Sequence, residues 1–351
     1  MYETYFAASN SGAGFVSYYG EIFDPSRFDR LYLIKGGPGT GKSSLMRRVA
    51  LEAERRGLPV RRYACSSDPD SLDGVVVGDR FAMLDSTAPH TQDTALPGAA
   101  DELVDLGRFW DAGELARARG EIAALNRRKK EAYARAYCWL GGVQACDRNT
   151  VRMLEGCVDH DKLRRAVRRC LHGAVPGEGR VMPALIDSVG MRGRVCFDSM
   201  HADAERAFIL TETRGGGTLF LREALAQARE LRCDVEAAWA PVEPTQLNGI
   251  RLPIDGVAIL DEGCAGEARE GDKIINMSRF WLPERLRAVR TELRHTARCR
   301  EQLMAGASLA FDDARAAHFA IEQIYIAAMD FAALNDYRDE LLARIFTDAS
   351  R

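Results

Sequence analysis

Apolar positions fall first into short runs broken by glycine-rich or acidic turns, then into long stretches of helical periodicity. This succession occurs twice along the chain. Leu31–Ile34 is a short apolar run suited to a strand buried on both faces. Residues 43–56 carry Leu45, Met46, Val49, Ala50 and Ala53 on one helical face, and Gly57 closes that helix. Val60–Ala64 and Phe81–Leu84 read as further strands. Strand, helix, strand predicts a right-handed parallel crossover. From about 101 to 172 the pattern turns helical and rich in Arg, Glu and Ala, and it does so again from about 272 to 348. The expected architecture is α/β, a parallel sheet with a helical subdomain, present twice. Three or four strands per copy are few for a sheet, which leaves open that the copies share one.

The doubling is visible as an internal repeat. Residues 30–79 align with 205–254 at an offset read as a constant 175, with Val60 on Val235, Pro69 on Pro244, Leu72 on Leu247 and Gly74 on Gly249. RLYLIK before one glycine-rich turn answers RAFILT before another, and FAMLD (81–85) answers VAILD (257–261) one inserted residue later. DELVDLGRFW (101–110) answers DKIINMSRFW (272–281). The reading is a duplication: copies at 1–172 and 180–351, with the Gly/Pro-rich 173–179 as linker.

Composition narrows the class. With 46% hydrophobic and 28% charged residues, the chain is neither disordered, collagen-like nor a small disulfide scaffold. Net charge is −3, so no global field draws it to nucleic acid or an anionic membrane. The basic stretches 127–130 and 163–170 read as solvated helix faces, which argues against nucleic acid as a partner. No run of 18 apolar residues and no signal-like start occur, and nine scattered Cys form no CxxC pair. A cytoplasmic protein with reduced thiols is expected.

Only six Lys occur, and one sits in a glycine-rich turn. Gly36-Gly37-Pro38-Gly39-Thr40-Gly41-Lys42-Ser43, followed by Ser44, fits G-x-x-x-x-G-K-[ST] between a strand and a helix. In such a turn the backbone N–H groups converge on phosphate oxygens. The Lys reaches the β- and γ-phosphates, and the hydroxyl ligates Mg²⁺. Asp85, ending an apolar strand, is the expected partner directing Mg²⁺. These motifs resemble the P-loop NTPase superfamily. Cys65-Ser-Ser-Asp68-Pro69-Asp70-Ser71-Leu72-Asp73 and LDSTAPH (84–90) further resemble a bacterial family of tandem P-loop ATPase-like proteins. That resemblance covers most of the chain. It implies the fold and ATP binding, and no particular reaction.

Comparing the copies separates architecture from candidate chemistry. Lys42 becomes Gly217. Asp68, Asp70 and Asp73 become Glu243, Thr245 and Asn248. Thr87 and His90 become Gly263 and Gly266. The second copy therefore reads as a pseudo-domain. Asp70, Asp73 and His90 are expected near the γ-phosphate side of the loop, the alternative being that Asp70 and Asp73 cap a short helix starting near Ser71. Asp261-Glu262 looks like the Asp-Glu pair of many ATPases, but lacks a phosphate loop beside it and reads as surface. Three functions follow: a Mg²⁺-dependent ATP hydrolase serving a partner or conformational change, a small-molecule phosphotransferase using those acids, or a nucleotide-gated binding module.

Overall fold

A computed structural model describes residues 3–89 and 92–348. The first half runs β1 (Glu3–Phe6), β2 (Ala8–Ser11), β3 (Gly14–Ser17), α1 (Tyr19–Ile22), β4 (Arg30–Lys35), α2 (Lys42–Arg55), β5 (Val60–Ala64), β6 (Leu72–Val77), β7 (Phe81–Asp85), β8 (Asp101–Asp105), α3 (Ala112–Arg117), α4 (Arg119–Glu155) and α5 (His160–Cys170). The second runs β9 (Val181–Pro183), β10 (Asp187–Gly190), β11 (Gly193–Cys196), α6 (Ser199–Ala202), β12 (Arg206–Thr211), α7 (Gly217–Glu230), β13 (Val235–Trp239), β14 (Leu247–Leu252), β15 (Val257–Asp261), β16 (Lys273–Asn276), α8 (Pro283–Ala327) and α9 (Phe331–Asp348).

Each half has its own six-stranded sheet, ordered β1-β5-β6-β7-β4-β8 and β9-β13-β14-β15-β12-β16, so the two match strand for strand and none is shared. The expectation of a parallel sheet is corrected. β6 and β14 run antiparallel to both neighbours, making the sheets mixed. The short connections from β5 to β6 and from β6 to β7 cannot make the crossover that parallel neighbours need. Asp101–Asp105, expected to begin the helical region, is instead an edge strand parallel to β4. The offset is not constant either. Arg206 answers Arg30 in equivalent registers (206 − 30 = 176), whereas Val235 answers Val60 (235 − 60 = 175), so the second half's glycine-rich loop is one residue shorter.

The inner faces of both sheets share one core, in which Tyr5, Phe23, Leu31, Leu33 and Leu84 meet Ile186, Met200, Ile209 and Leu260. The outer faces exchange their covers. α9, from the end of the chain, joins α2 on the first sheet through Leu334, Leu341, Ile345 and Phe346. α5 joins α7 on the second sheet through Leu163, Val167 and Cys170. The crossings are tied symmetrically. Asp111 N–H donates to Ala328 O (2.8 Å) and Asp330 N–H to Phe109 O (2.8 Å). Leu282 N–H donates to Cys157 O (2.7 Å) and Asp159 N–H to Phe280 O (2.8 Å).

The exchange is made by α4 and α8, helices of 37 and 45 residues that pack antiparallel. Small buried residues (Ala132, Ala136, Ala307, Ala310, Ala314) allow their close approach, and Asp313 bridges Arg128 (2.7 Å) and Arg135 (2.6 Å) across the seam. α4, at about 1.5 Å per residue, spans about 55 Å and so carries its far end onto the other half. Among the described residues no helix is long and apolar enough to cross a membrane.

Candidate functional site

β4 and β7 are parallel neighbours, with Ile34 paired to Asp85. The loop leaving β4 and the carboxylate ending β7 therefore emerge at the same sheet edge. The loop turns through Gly39 (φ 73°) and Gly41 (φ 84°), a left-handed backbone that glycine adopts without strain. Gly41 has a second reason to lack a side chain, because a Cβ there would strike the Arg338 guanidinium. Thr40 is buried and its hydroxyl donates to Gly37 O (2.8 Å), bracing the turn. α2 starts at Lys42 with no side-chain cap, which leaves first-turn N–H groups available. Gly36, Pro38 and Ser43 are partly exposed around this mouth, and Ser44 is exposed.

Lys42 folds back over the loop. Its Nζ donates to Gly36 O (2.8 Å) and Gly37 O (2.7 Å), and lies 3.5 Å from Asp85 Oδ2. Asp85 Oδ1 accepts from Thr87 N–H (2.8 Å), and the Thr87 hydroxyl donates to Gly36 O (3.1 Å). Ser43 Oγ accepts Leu72 N–H (2.9 Å) and, at 3.5 Å, Arg47 Nε, a long contact that a cation would displace. A divalent cation of the Mg²⁺ class fits these donors, since it takes few protein oxygens and fills its remaining positions with water and phosphate. Among the described residues no group of three or more His, Cys, Asp or Glu forms a self-sufficient cage.

No family model, curated protein or solved structure matches this chain. The arrangement must therefore be judged on its own chemistry and against its counterpart in the second half.

The other residues singled out by sequence are placed unevenly. Asp70 is exposed and engaged elsewhere. Its carboxylate pairs with Arg192 in the β10–β11 turn, its carbonyl accepts from Arg47, and Asp68 lies 3.5 Å from the same Arg192. These acids therefore dock a hairpin of the other half. Asp73 is buried on β6 beside Tyr19 and Cys65. Burial first, then the Asp73 charge, holds the Tyr19 phenol well above its ordinary value, and Asp85 contributes too. Asp73 and Asp85 thus act on a common neighbour. No helix begins near Ser71, because Leu72 enters β6 directly. His90 lies outside the described residues.

In the second half the equivalent loop is closed. Gly217 takes the place of Lys42, and a Cβ there would run into the Asp261 carboxylate, whose pKa burial pushes up. Leu154 and the Trp281 ring pack onto Gly216. Thr218 Oγ1 still accepts Leu247 N–H (2.9 Å), as Ser43 accepts Leu72, so that contact is architectural in both halves.

Sequence reasoning missed what covers the first loop. Tyr325 lies against Gly37, Glu322 and Ile326 against Gly39, and Arg338 donates to Gly41 O (2.9 Å). All four come from the second half. Arg338 is buried, and its Nε has no hydrogen-bond partner among the described residues. An Arg at helical spacing in an Ala- and Leu-rich stretch gave no signal of this.

Proposed function

We propose that the first half is a P-loop site that binds ATP with Mg²⁺ and hydrolyses it, and that the second half is a duplicated copy without nucleotide. One observation carries this reading: Lys42 sits between two loop carbonyls and Asp85 at the uncapped start of α2, while the second half has Gly217 there. The loop carbonyls and Asp85 hold the ammonium in place until a phosphate competes for it. The N–H groups of the loop and of the first turn of α2 then face the β- and γ-phosphate oxygens. Ser43 Oγ and Asp85 would hold Mg²⁺, which supplies charge neutralisation between those phosphates. Asp73, buried near Tyr19, is a positioning group at the same edge. Asp70, paired with Arg192, leaves the phosphotransferase reading without a free acid at that position.

Phosphate release from ATP is expected without any added acceptor, to stop on chelation with EDTA, and to fall roughly 100-fold or more in Asp85→Asn. Release unchanged by both treatments would contradict the reading. A second reading is favoured by the loop's cover, to which the other half contributes Tyr325, Glu322, Ile326 and Arg338. In it, nucleotide occupancy serves to shift α8 and α9 against the first sheet, and slow turnover resets them.

A further inference from the structure

The antiparallel pair of α4 and α8 passes over both glycine-rich loops, and one of the differences between the two passages is a pair of polar side chains facing each other across the helices. Trp281 answers Trp110 (281 − 110 = 171), and the same step carries Lys129 to Arg300 and Asp147 to His318. Over the second loop, Arg300 Nε and Asp147 Oδ1 form an ion pair at 2.6 Å. Over the first loop, the same positions hold Lys129 and His318, where neither residue is a carboxylate that could pair with the other. Both lie on the inward side of the hairpin, Lys129 one turn from the buried Ala132 and His318 one turn from the buried Ala314 and Ile321. Glu322, the next turn of α8 after His318, rests on Gly39 of the loop. Among the described residues neither Lys129 nor His318 has a hydrogen-bond or ion-pair partner.

We propose that Lys129 and His318 form a roof site for the terminal phosphate of a bound nucleoside triphosphate, one group from each half, opposite Lys42 in the loop. This rests on the first half being a nucleotide site. The electrostatics agree. Burial, then the Lys42 charge, holds the Lys129 ammonium below its ordinary value. His318 is pushed down to about 4 by burial first, then by Lys129, with Lys42 adding and Asp68 opposing. Two half-buried donors that both feel the Lys42 cation form a region that an anion would stabilise. At neutral pH His318 is uncharged and offers one ring N–H, whereas Lys129 supplies charge. In the second half Asp147 already satisfies Arg300, so that roof has nothing to offer a phosphate.

The test compares affinities of the full chain for a slowly hydrolysed ATP analogue and for ADP, each with Mg²⁺. The wild type is expected to prefer the triphosphate. Lys129→Met, which keeps the length of the side chain, and His318→Asp, which gives Lys129 the carboxylate that Arg300 has, should each weaken the triphosphate about tenfold or more. ADP affinity should change less than about threefold. Lys129→Arg should retain the preference. Equal losses for both nucleotides, or an unchanged triphosphate affinity in folded Lys129→Met, would overturn the roof site while leaving the loop assignment intact. ADP binding enhanced by added inorganic phosphate in the wild type but not in Lys129→Met would support it. Failure of the wild type to bind either nucleotide would instead overturn the nucleotide reading itself.

Discussion

Lys42→Ala is expected to lower affinity for a Mg²⁺-bound ATP analogue about 100-fold, with the fold intact. Lys42 is the cation held by Gly36 O, Gly37 O and Asp85 at the loop, and charge-assisted bonds contribute about 1.5–3 kcal/mol each. Its removal also leaves Gly36 O, Gly37 O and the Asp85 carboxylate, the three oxygens it now contacts, facing the incoming phosphates. Loss of attraction and exposed repulsion act in the same direction. Calorimetric titration of the variant, alongside a thermal melt, checks this. Affinity within threefold of the wild type would remove Lys42 from the site.

The fragment 1–178 is expected not to fold. Its sheet is complete in strands, so the requirement comes from what covers it. The inner face loses Ile186, Met200, Ile209 and Leu260, and the outer face loses α9. Burial of a large apolar side chain is worth about 1.5–3 kcal/mol, so Leu334, Leu341, Ile345 and Phe346 alone contribute on the order of 6–12 kcal/mol. That is comparable to the whole stability of a typical domain, roughly 5–15 kcal/mol. The fragment's own α5 meanwhile loses the sheet it packs on. Expressed alone, the fragment should aggregate or bind hydrophobic dyes, with no cooperative melt. A soluble monomer with a sharp transition would show the exchanged helices to be dispensable.

The core strands and the loop were legible in the sequence because their signals are local. Leu31–Ile34 and Phe81–Leu84 are apolar runs of strand length, and Gly39, Gly41 and Lys42 announce the turn by residue type. What escaped was non-local. Glu3–Phe6 becomes a strand only by pairing with β5, far along the chain, and Leu72–Val77 was hidden behind an acidic segment that drew attention to its carboxylates. The apolar stripe of a helix shows that one face is buried and not against which sheet. Nothing in the pattern of α5 or α9 therefore reveals the exchange, or that Arg338, Glu322 and Tyr325 return to the loop of the first half. Lys129 and His318 were within reach of the internal comparison, but only after the offset at Trp110 and Trp281 is extended along both long helices.

Titration calorimetry of the full chain with a slowly hydrolysed ATP analogue and Mg²⁺ tests most directly whether binding belongs to the first half alone. One site per chain is expected, because Lys42 serves one loop while Gly217, Asp261, Leu154 and Trp281 close the other. Two equivalent sites per chain, or one site that survives in Lys42→Ala, would contradict it.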